Sequence, residues 1–481
     1  MFLKCLIFIG LLSLAAAKIS YENYRVYDVV LTSETQVQML EDLKKGYSFW
    51  NDFIVVGDAA RILVSPDQDE EFLKYSKSAG LDAKLTIKNV QELIDFQMTP
   101  VNIERNSRTS LGSFNWTMYH PLASIHAWLD ELVALFPNVV TTIEIGTSYE
   151  GRSIKGVVID FRRENRQGTP LIAMIEGGIH AREWISPATV TWIIKEFLTS
   201  EDADVRFMAE NFIWHIFPVV NPDGYDYTFT TNRMWRKNRN PTNYVPCPNL
   251  DAGNGIDLNR NFDYLWMTVG ASQNPCTETY AGPSGSSELE TLAISNYVLT
   301  LKNAGNLLYY FAFHSYSQMI LIPFSHVGGY DVLTAPNYGD MYEIAIRGAE
   351  KLEALYGTQY RVGTSLDILY EVSGSSFDWA KGFAEVPISM LFELRDIGPY
   401  GFLLPPEQII PNNEEIMACL VQMDKTTRDL RYYQGYSEGD DAGNGEDIEP
   451  EEGGSEDNGA AGVASSVVSL MLSAAFMVVM K

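Results

Sequence analysis

From residue 121 to about 435 the chain alternates two kinds of hydrophobic spacing: unbroken apolar runs of strand length, and longer stretches with an apolar residue every third or fourth position. The runs at 140–145, 154–159, 171–176, 212–220, 307–313, 319–323 and 386–393 predict strands, and the spaced stretches at 121–135, 187–198, 286–301 and 337–356 predict helices. Strands apolar on both faces with helices between them imply an α/β fold, a mostly parallel or mixed sheet with helices on both faces. Residues 18–108 carry a shorter pattern of their own. Strands at 24–31, 52–56, 60–64 and 83–87 and helices at 33–45, with Ser33 as cap, and 67–79 describe a small α+β unit. It ends in the polar stretch Q-M-T-P-V-N-I-E-R-N-S-R-T-S-L-G, where Arg105 and Arg108 stand among small residues as a trypsin-like protease requires. A removable prosegment fits this arrangement; a permanent N-terminal domain on a flexible linker is the alternative.

Composition changes the picture in three places. At 481 residues and 46% hydrophobic, the chain suffices for one large core and a smaller one. Its net charge of -27 argues against nucleic acid as a partner, because phosphates would be repelled over most of the surface. Ten acidic residues and no Lys or Arg fall in 438–457, so the 436–457 segment reads as a self-repelling, disordered linker.

The termini have patterns of their own. Residues 1–17, with Lys4, a short apolar run and Ala15-Ala16-Ala17, read as a secretory signal peptide. Export removes Cys5 and leaves Cys247 and Cys276 free to pair in an oxidising compartment. Cys419 is then left over, expected buried and reduced on a helix, with intermolecular pairing as the alternative. Residues 458–481 present small residues, a mildly polar spacer and an apolar run, the pattern of a GPI-attachment signal with Asn458 as attachment site. A retained transmembrane tail and simple secretion are the competing readings. The sequon Asn115-Trp116-Thr117 is a candidate glycan acceptor.

In an α/β sheet, chemistry gathers where strands end. The run L-I-A-M-I-E reaches Gly177-Gly178 and delivers His180 and Glu183; L-L-Y-Y-F-A-F closes on His314, and P-I-S-M-L-F on Glu393. His180, Glu183 and His314 would hold a tetrahedral zinc with one open position, which belongs to a catalytic site, since a structural site is closed and usually built of cysteines. Such an ion makes water a usable nucleophile near neutral pH, and Glu393 is the carboxylate to take its proton and pass it to a leaving amine. A strand-end salt bridge with Arg395 is the plainer reading of Glu393. His120, His126, His215 and His326 are expected on loops or helix ends, except His215, which should be a hydrogen-bonded core residue. Two basic segments complete the set: N-R-M-W-R-K-N-R, with Arg233, Arg236 and Arg239, and G-I-D-L-N-R-N-F, with Asp257, Asn259 and Arg260. Guanidinium groups recognise carboxylates bidentately or stabilise an oxyanion; a solvated surface run is the alternative for the first segment.

The segments H-A-R-E-W, N-R-M-W-R-K, D-L-N-R-N-F, F-H-S-Y-S-Q, Y-E-V-S-G-S-S-F-D-W and F-E-L-R-D, in this order, resemble the zinc metallocarboxypeptidases of the pancreatic A and B type over nearly all of residues 18–435. The resemblance implies an eight-stranded mixed sheet preceded by a ferredoxin-like, open-sandwich prodomain over 18–108, with a mature enzyme beginning near Thr109. It implies one zinc per chain on His180, Glu183 and His314, Glu393 as general base, and Arg236 polarising the scissile carbonyl. Asn259, Arg260 and Tyr370 would hold a substrate's free C-terminal carboxylate, Arg182 an outer part of the peptide, and Asp257 the first zinc histidine; Cys247 and Cys276 match the family's disulfide. Its partners would be peptides and proteins with free C-termini and an activating trypsin-like protease. The side-chain pocket floor falls on Phe377, where an Asp marks preference for basic residues, so an apolar, A-type preference is expected. A non-catalytic peptide-binding module and a zinc endopeptidase or aminopeptidase are the rival classes.

Overall fold

The computed structural model describes residues 18–44, 46–51, 56–57, 59–101, 109–162, 170–241, 245–247, 253–326 and 334–433. The expected signal peptide, Arg105 and Arg108, the expected acidic linker and the expected attachment tail with Asn458 lie outside the described residues, as does most of the strand expected at 52–56. Among the described residues no helix is long and apolar enough to cross a membrane.

The N-terminal unit runs β1 (Arg25–Val30), α1 (Glu34–Leu43), β2 (Ser48–Phe49), β3 (Ala59–Val64), α2 (Asp69–Ser78), β4 (Ala83–Ile87) and α3 (Val90–Gln97). Its sheet has the order β2-β3-β1-β4 with every pairing antiparallel, the split βαβ arrangement expected of an open sandwich. Ser33 caps α1 as its sequence position suggests, accepting from Gln36 N at 3.4 Å. Helix α3 was not apparent from spacing. It has only eight residues, with Val90, Ile94 and Gln97 buried.

The larger unit opens with a short hairpin, β5 (Ser110–Leu111) and β6 (Phe114–Asn115), and the helix α4 (Leu122–Leu135). Then follow β7 (Val140–Thr147), β8 (Ser153–Ile159), β9 (Leu171–Gly177), α5 (Ile185–Thr199), α6 (Ala203–Asn211), β10 (Phe212–Phe217) and α7 (Pro222–Thr230). The second half contains α8 (Leu289–Ala304), β11 (Asn306–Ser315), β12 (Met319–Ile322), α9 (Tyr338–Tyr356), β13 (Arg361–Thr364), α10 (Ser365–Ile368), α11 (Ser376–Gly382), β14 (Ile388–Leu394) and α12 (Ile409–Asp429).

Eight strands form one mixed sheet in the order β13-β12-β14-β11-β9-β10-β8-β7. The central four, β14, β11, β9 and β10, are parallel neighbours, and antiparallel pairings join the outer strands to them. Strand β9 shows why its run is apolar throughout. Leu171, Ala173 and Ile175 pack into the core under α4, α5, α9 and α12, whereas Ile172 and Met174 pack into the opposite core with α8 and α11.

Helix α12 was legible only around Cys419, which is buried and free. Its first turns carry Pro411, Asn412 and Asn413, and both asparagines are fully buried on Thr189 of α5. Hydrogen bonds take the place of apolar contacts there, and a proline in the first turn removes no helical bond. Strand β10 stops at Phe217 rather than 220 because Pro218 cannot donate to the ladder.

The N-terminal unit docks on the larger one through a shared apolar cluster, with Tyr21, Val26, Trp50, Ile87 and Ile94 against Met234, Phe402 and Leu403. Buried hydrogen bonds fix its orientation: Tyr21 Oη donates to Asn232 Oδ1 (2.6 Å), and Gln97 Nε2 to the carbonyls of Phe402 and Leu404 (3.1 Å each).

Candidate active site

Three parallel neighbours bring the chemistry together. β9 ends in Gly177 and then Gly178, whose φ of 63° admits the turn and whose missing Cβ would lie 3.1 Å from the Pro218 carbonyl. The turn places His180 and Glu183 beside the end of β11, where Phe313 is in register with Gly177. His314 is in register with Glu393 of β14.

The donor atoms converge. His180 Nδ1 lies 2.8 Å from Glu183 Oε1 and 3.1 Å from His314 Nδ1, and His314 Nδ1 lies 3.3 Å from Glu183 Oε2. All three residues are buried, and they form a group able to hold a metal ion. Both imidazole nitrogens and the carboxylate carry lone pairs that can meet on one cation. The tautomer agrees: His180 Nε2 sits 3.1 Å from Asp257 Oδ1, so its proton goes there and Nδ1 is left to ligate. Burial opposes ionisation of Glu183, yet the His180 and His314 rings override it and hold the carboxyl well below the usual range. Asp257 is likewise held low against its burial, by Arg236 first and then by His180 and Arg260. The donor set, two imidazoles and a carboxylate, suits zinc.

The guanidinium groups lie alongside. Arg236 Nη2 donates to Asp257 Oδ2 (2.9 Å) and its Nη1 stands 3.9 Å from Glu183 Oε1. Arg260 donates from Nε to the Gly270 carbonyl (2.9 Å) and from Nη1 to its neighbour's carbonyl at Asn259 (3.1 Å). His180, Glu183, Arg236, Asn259, Arg260, Tyr370, Phe377 and Glu393 line one cavity of about 110 Å³. His314 and Asp257 stand behind this wall.

Some expected placements differ. Arg182 does not reach the cavity wall: it is completely buried, stacked 4.2 Å over Phe402, with Nη1 3.5 Å from Glu278 Oε1. The basic stretch is no solvated surface, because Arg233 and Arg236 are buried and Arg239 stacks 3.6 Å over Tyr227. Arg395 binds Glu415 in a fork, at 2.7 and 2.5 Å. His215 is the hydrogen-bonded core residue expected, its Nδ1 2.7 Å from Tyr297 Oη. Asn115, the candidate glycan acceptor, is 8% exposed, and its Oδ1 accepts from Thr117 N and Oγ1 at 3.0 and 2.7 Å. Cys247 and Cys276 are bonded to each other.

Sequence reasoning missed the residues that close the cavity. Trp50, Asn51, Ala59 and Ala60 of the N-terminal unit and Phe402 of the larger unit also line it, with Trp50 and Phe402 rings 5.7 Å apart.

This geometry agrees with three kinds of comparison. A family model described as zinc carboxypeptidase matches residues 125–419, and one described as carboxypeptidase activation peptide matches residues 27–97. The chain is 40% identical over 429 residues to zinc carboxypeptidase A 1 of Anopheles gambiae, covering 88% of this chain and 94% of that one. It is 41% identical over 302 residues to carboxypeptidase B of Astacus astacus, covering 63% and 94%. Among solved structures, carboxypeptidase A from Helicoverpa armigera superposes with a TM-score of 0.74 at 29% identity, over 86% of this chain and 100% of the other.

Proposed function

Because this chain belongs to the zinc carboxypeptidase family and carries its activation peptide, we propose that it is made as a zymogen, is activated by cleavage near Arg108, and releases apolar residues from free C-termini. The enzyme is a metallocarboxypeptidase, a zinc hydrolase. His180, Glu183 and His314 would hold the zinc, which when bound would supply a Lewis acid for activating water and polarising a carbonyl.

The protein's own groups do the rest. Glu393 receives the proton of the attacking water and returns it to the leaving amine. Arg236 offers charge where the carbonyl oxygen becomes anionic. Asn259, Arg260 and Tyr370 grip the terminal carboxylate, which restricts cleavage to the last residue. Phe377, with Leu321, Leu369 and Leu391 nearby, makes an apolar receptacle that lacks a charge for Lys or Arg. The observation that carries this reading is the convergence of the metal group, a strand-end carboxylate and buried guanidinium groups in one cavity. Trp50 and its neighbours on the same wall explain why the uncut chain would be silent. Export through residues 1–17 and GPI anchoring at Asn458 complete the proposal, on the sequence pattern of the two ends.

The test is mass spectrometry of a peptide mixture before and after a trypsin-like cut. The expected result is a ladder of single C-terminal losses, apolar residues first, only after cleavage; internal fragments would exclude an exopeptidase. A second measurement addresses the pocket. Phe377→Asp should raise kcat/KM for C-terminal Arg relative to Phe by about tenfold or more, because it supplies the missing charge. An unchanged ratio would remove Phe377 from the specificity site.

A further inference from the structure

Glu176 is the last side chain of β9 before the glycine turn, 1% exposed, and none of the steps above uses it. Among the described residues no Lys, Arg or His forms an ion pair with it. Its Oε1 instead accepts the hydroxyl of Ser376, 200 residues further on, at 2.5 Å.

We propose that Glu176 is a positioning residue for substrate binding: by holding the Ser376 hydroxyl it fixes the segment that orients Asn259 and carries Phe377. The inference rests on Asn259 acting as a grip on the substrate carboxylate.

The bonds run in a continuous line. Ser376 N donates to Asn259 Oδ1 (2.9 Å), Asn259 N donates to Asp257 Oδ1 (2.9 Å), and that same oxygen faces His180 Nε2 at 3.1 Å. With its oxygen committed to Ser376, the Asn259 amide can turn only its NH2 to the cavity, which is the end that a carboxylate binds. Two further contacts join these loops into one piece. Phe262 N donates to the Gly374 carbonyl (3.0 Å), and Gly374, at φ 74°, packs so tightly that a Cβ would lie 2.3 Å from the Arg260 carbonyl. Ser389 of β14 holds the Phe377 carbonyl at 2.8 Å. Glu176 therefore ties this piece to the central strand that also delivers His180. Burial pushes the Glu176 carboxyl up to about 7, although the Ser376 hydrogen bond works the other way.

The experiment uses the activated enzyme and peptides with a free C-terminus. Ser376→Ala and Glu176→Ala should each raise KM about tenfold, with kcat within about twofold and zinc content unchanged, the pattern of lost uniform binding. The double variant should be no worse than either single one, because both remove the same bond. Glu176→Gln should recover most of the KM, since its amide oxygen can accept the same hydroxyl. If Glu176→Ala does not fold, Ser376→Ala carries the test alone. Unchanged KM in Ser376→Ala, parallel loss of kcat and zinc, or Glu176→Gln as impaired as Glu176→Ala would each overturn the proposal. Asn259→Ala separates the two readings: if it leaves KM unchanged, the carboxylate grip itself is wrong; if only it raises KM, the grip stands and Glu176 has no part in it.

Discussion

Glu393→Gln is expected to lower kcat by roughly 10²–10⁴-fold while KM and zinc content stay within a few-fold of the parent enzyme. The glutamine keeps the shape and an acceptor oxygen but cannot take a proton. Glu393 is suited to that task because it lines the cavity in register with His314, while the neighbouring Arg395 guanidinium is bound to Glu415. Steady-state kinetics across pH, with the metal measured on the same sample, decide the matter. Near-parental kcat in a zinc-loaded variant would eliminate Glu393 as the base.

Arg260→Met should reduce kcat/KM for free C-terminal peptides by roughly 10²–10³-fold, the scale seen when one partner of a buried charged pair is truncated. Arg260 is 2% exposed, and bonds to the carbonyls of Gly270 and Asn259 fix its guanidinium before any substrate arrives. Preorganisation of this kind makes binding selective for a carboxylate over an amide. Peptides with an amidated C-terminus should therefore be poor substrates for the parent, and the substitution should cost them little. Equal losses on both peptide forms would show that Arg260 supports the fold rather than the recognition of a chain end.

How much could be read beforehand depended on whether a residue's task was local. His180 and Glu183 stand three apart after an apolar run, and one turn suffices to bring them together. Arg182 sits between them in sequence, yet its side chain is buried against the Phe402 ring, a residue 220 positions away that local spacing does not reveal. Arg233 misled for a related reason: a run of arginines in an acidic chain resembles surface, but stacking 3.8 Å over Trp184 and three hydrogen bonds compensate its burial.

By itself the order of apolar runs and their closing residues determined the α/β layering, the separate N-terminal unit and the metal triad, because strand ends in a parallel sheet necessarily gather on one edge. Only the tertiary structure decided that β11 lies between β9 and β14, that Trp50 joins the cavity wall, and that Glu176 reaches Ser376. Those are pairings between segments tens to hundreds of residues apart, set by which faces pack together, and no local spacing encodes them.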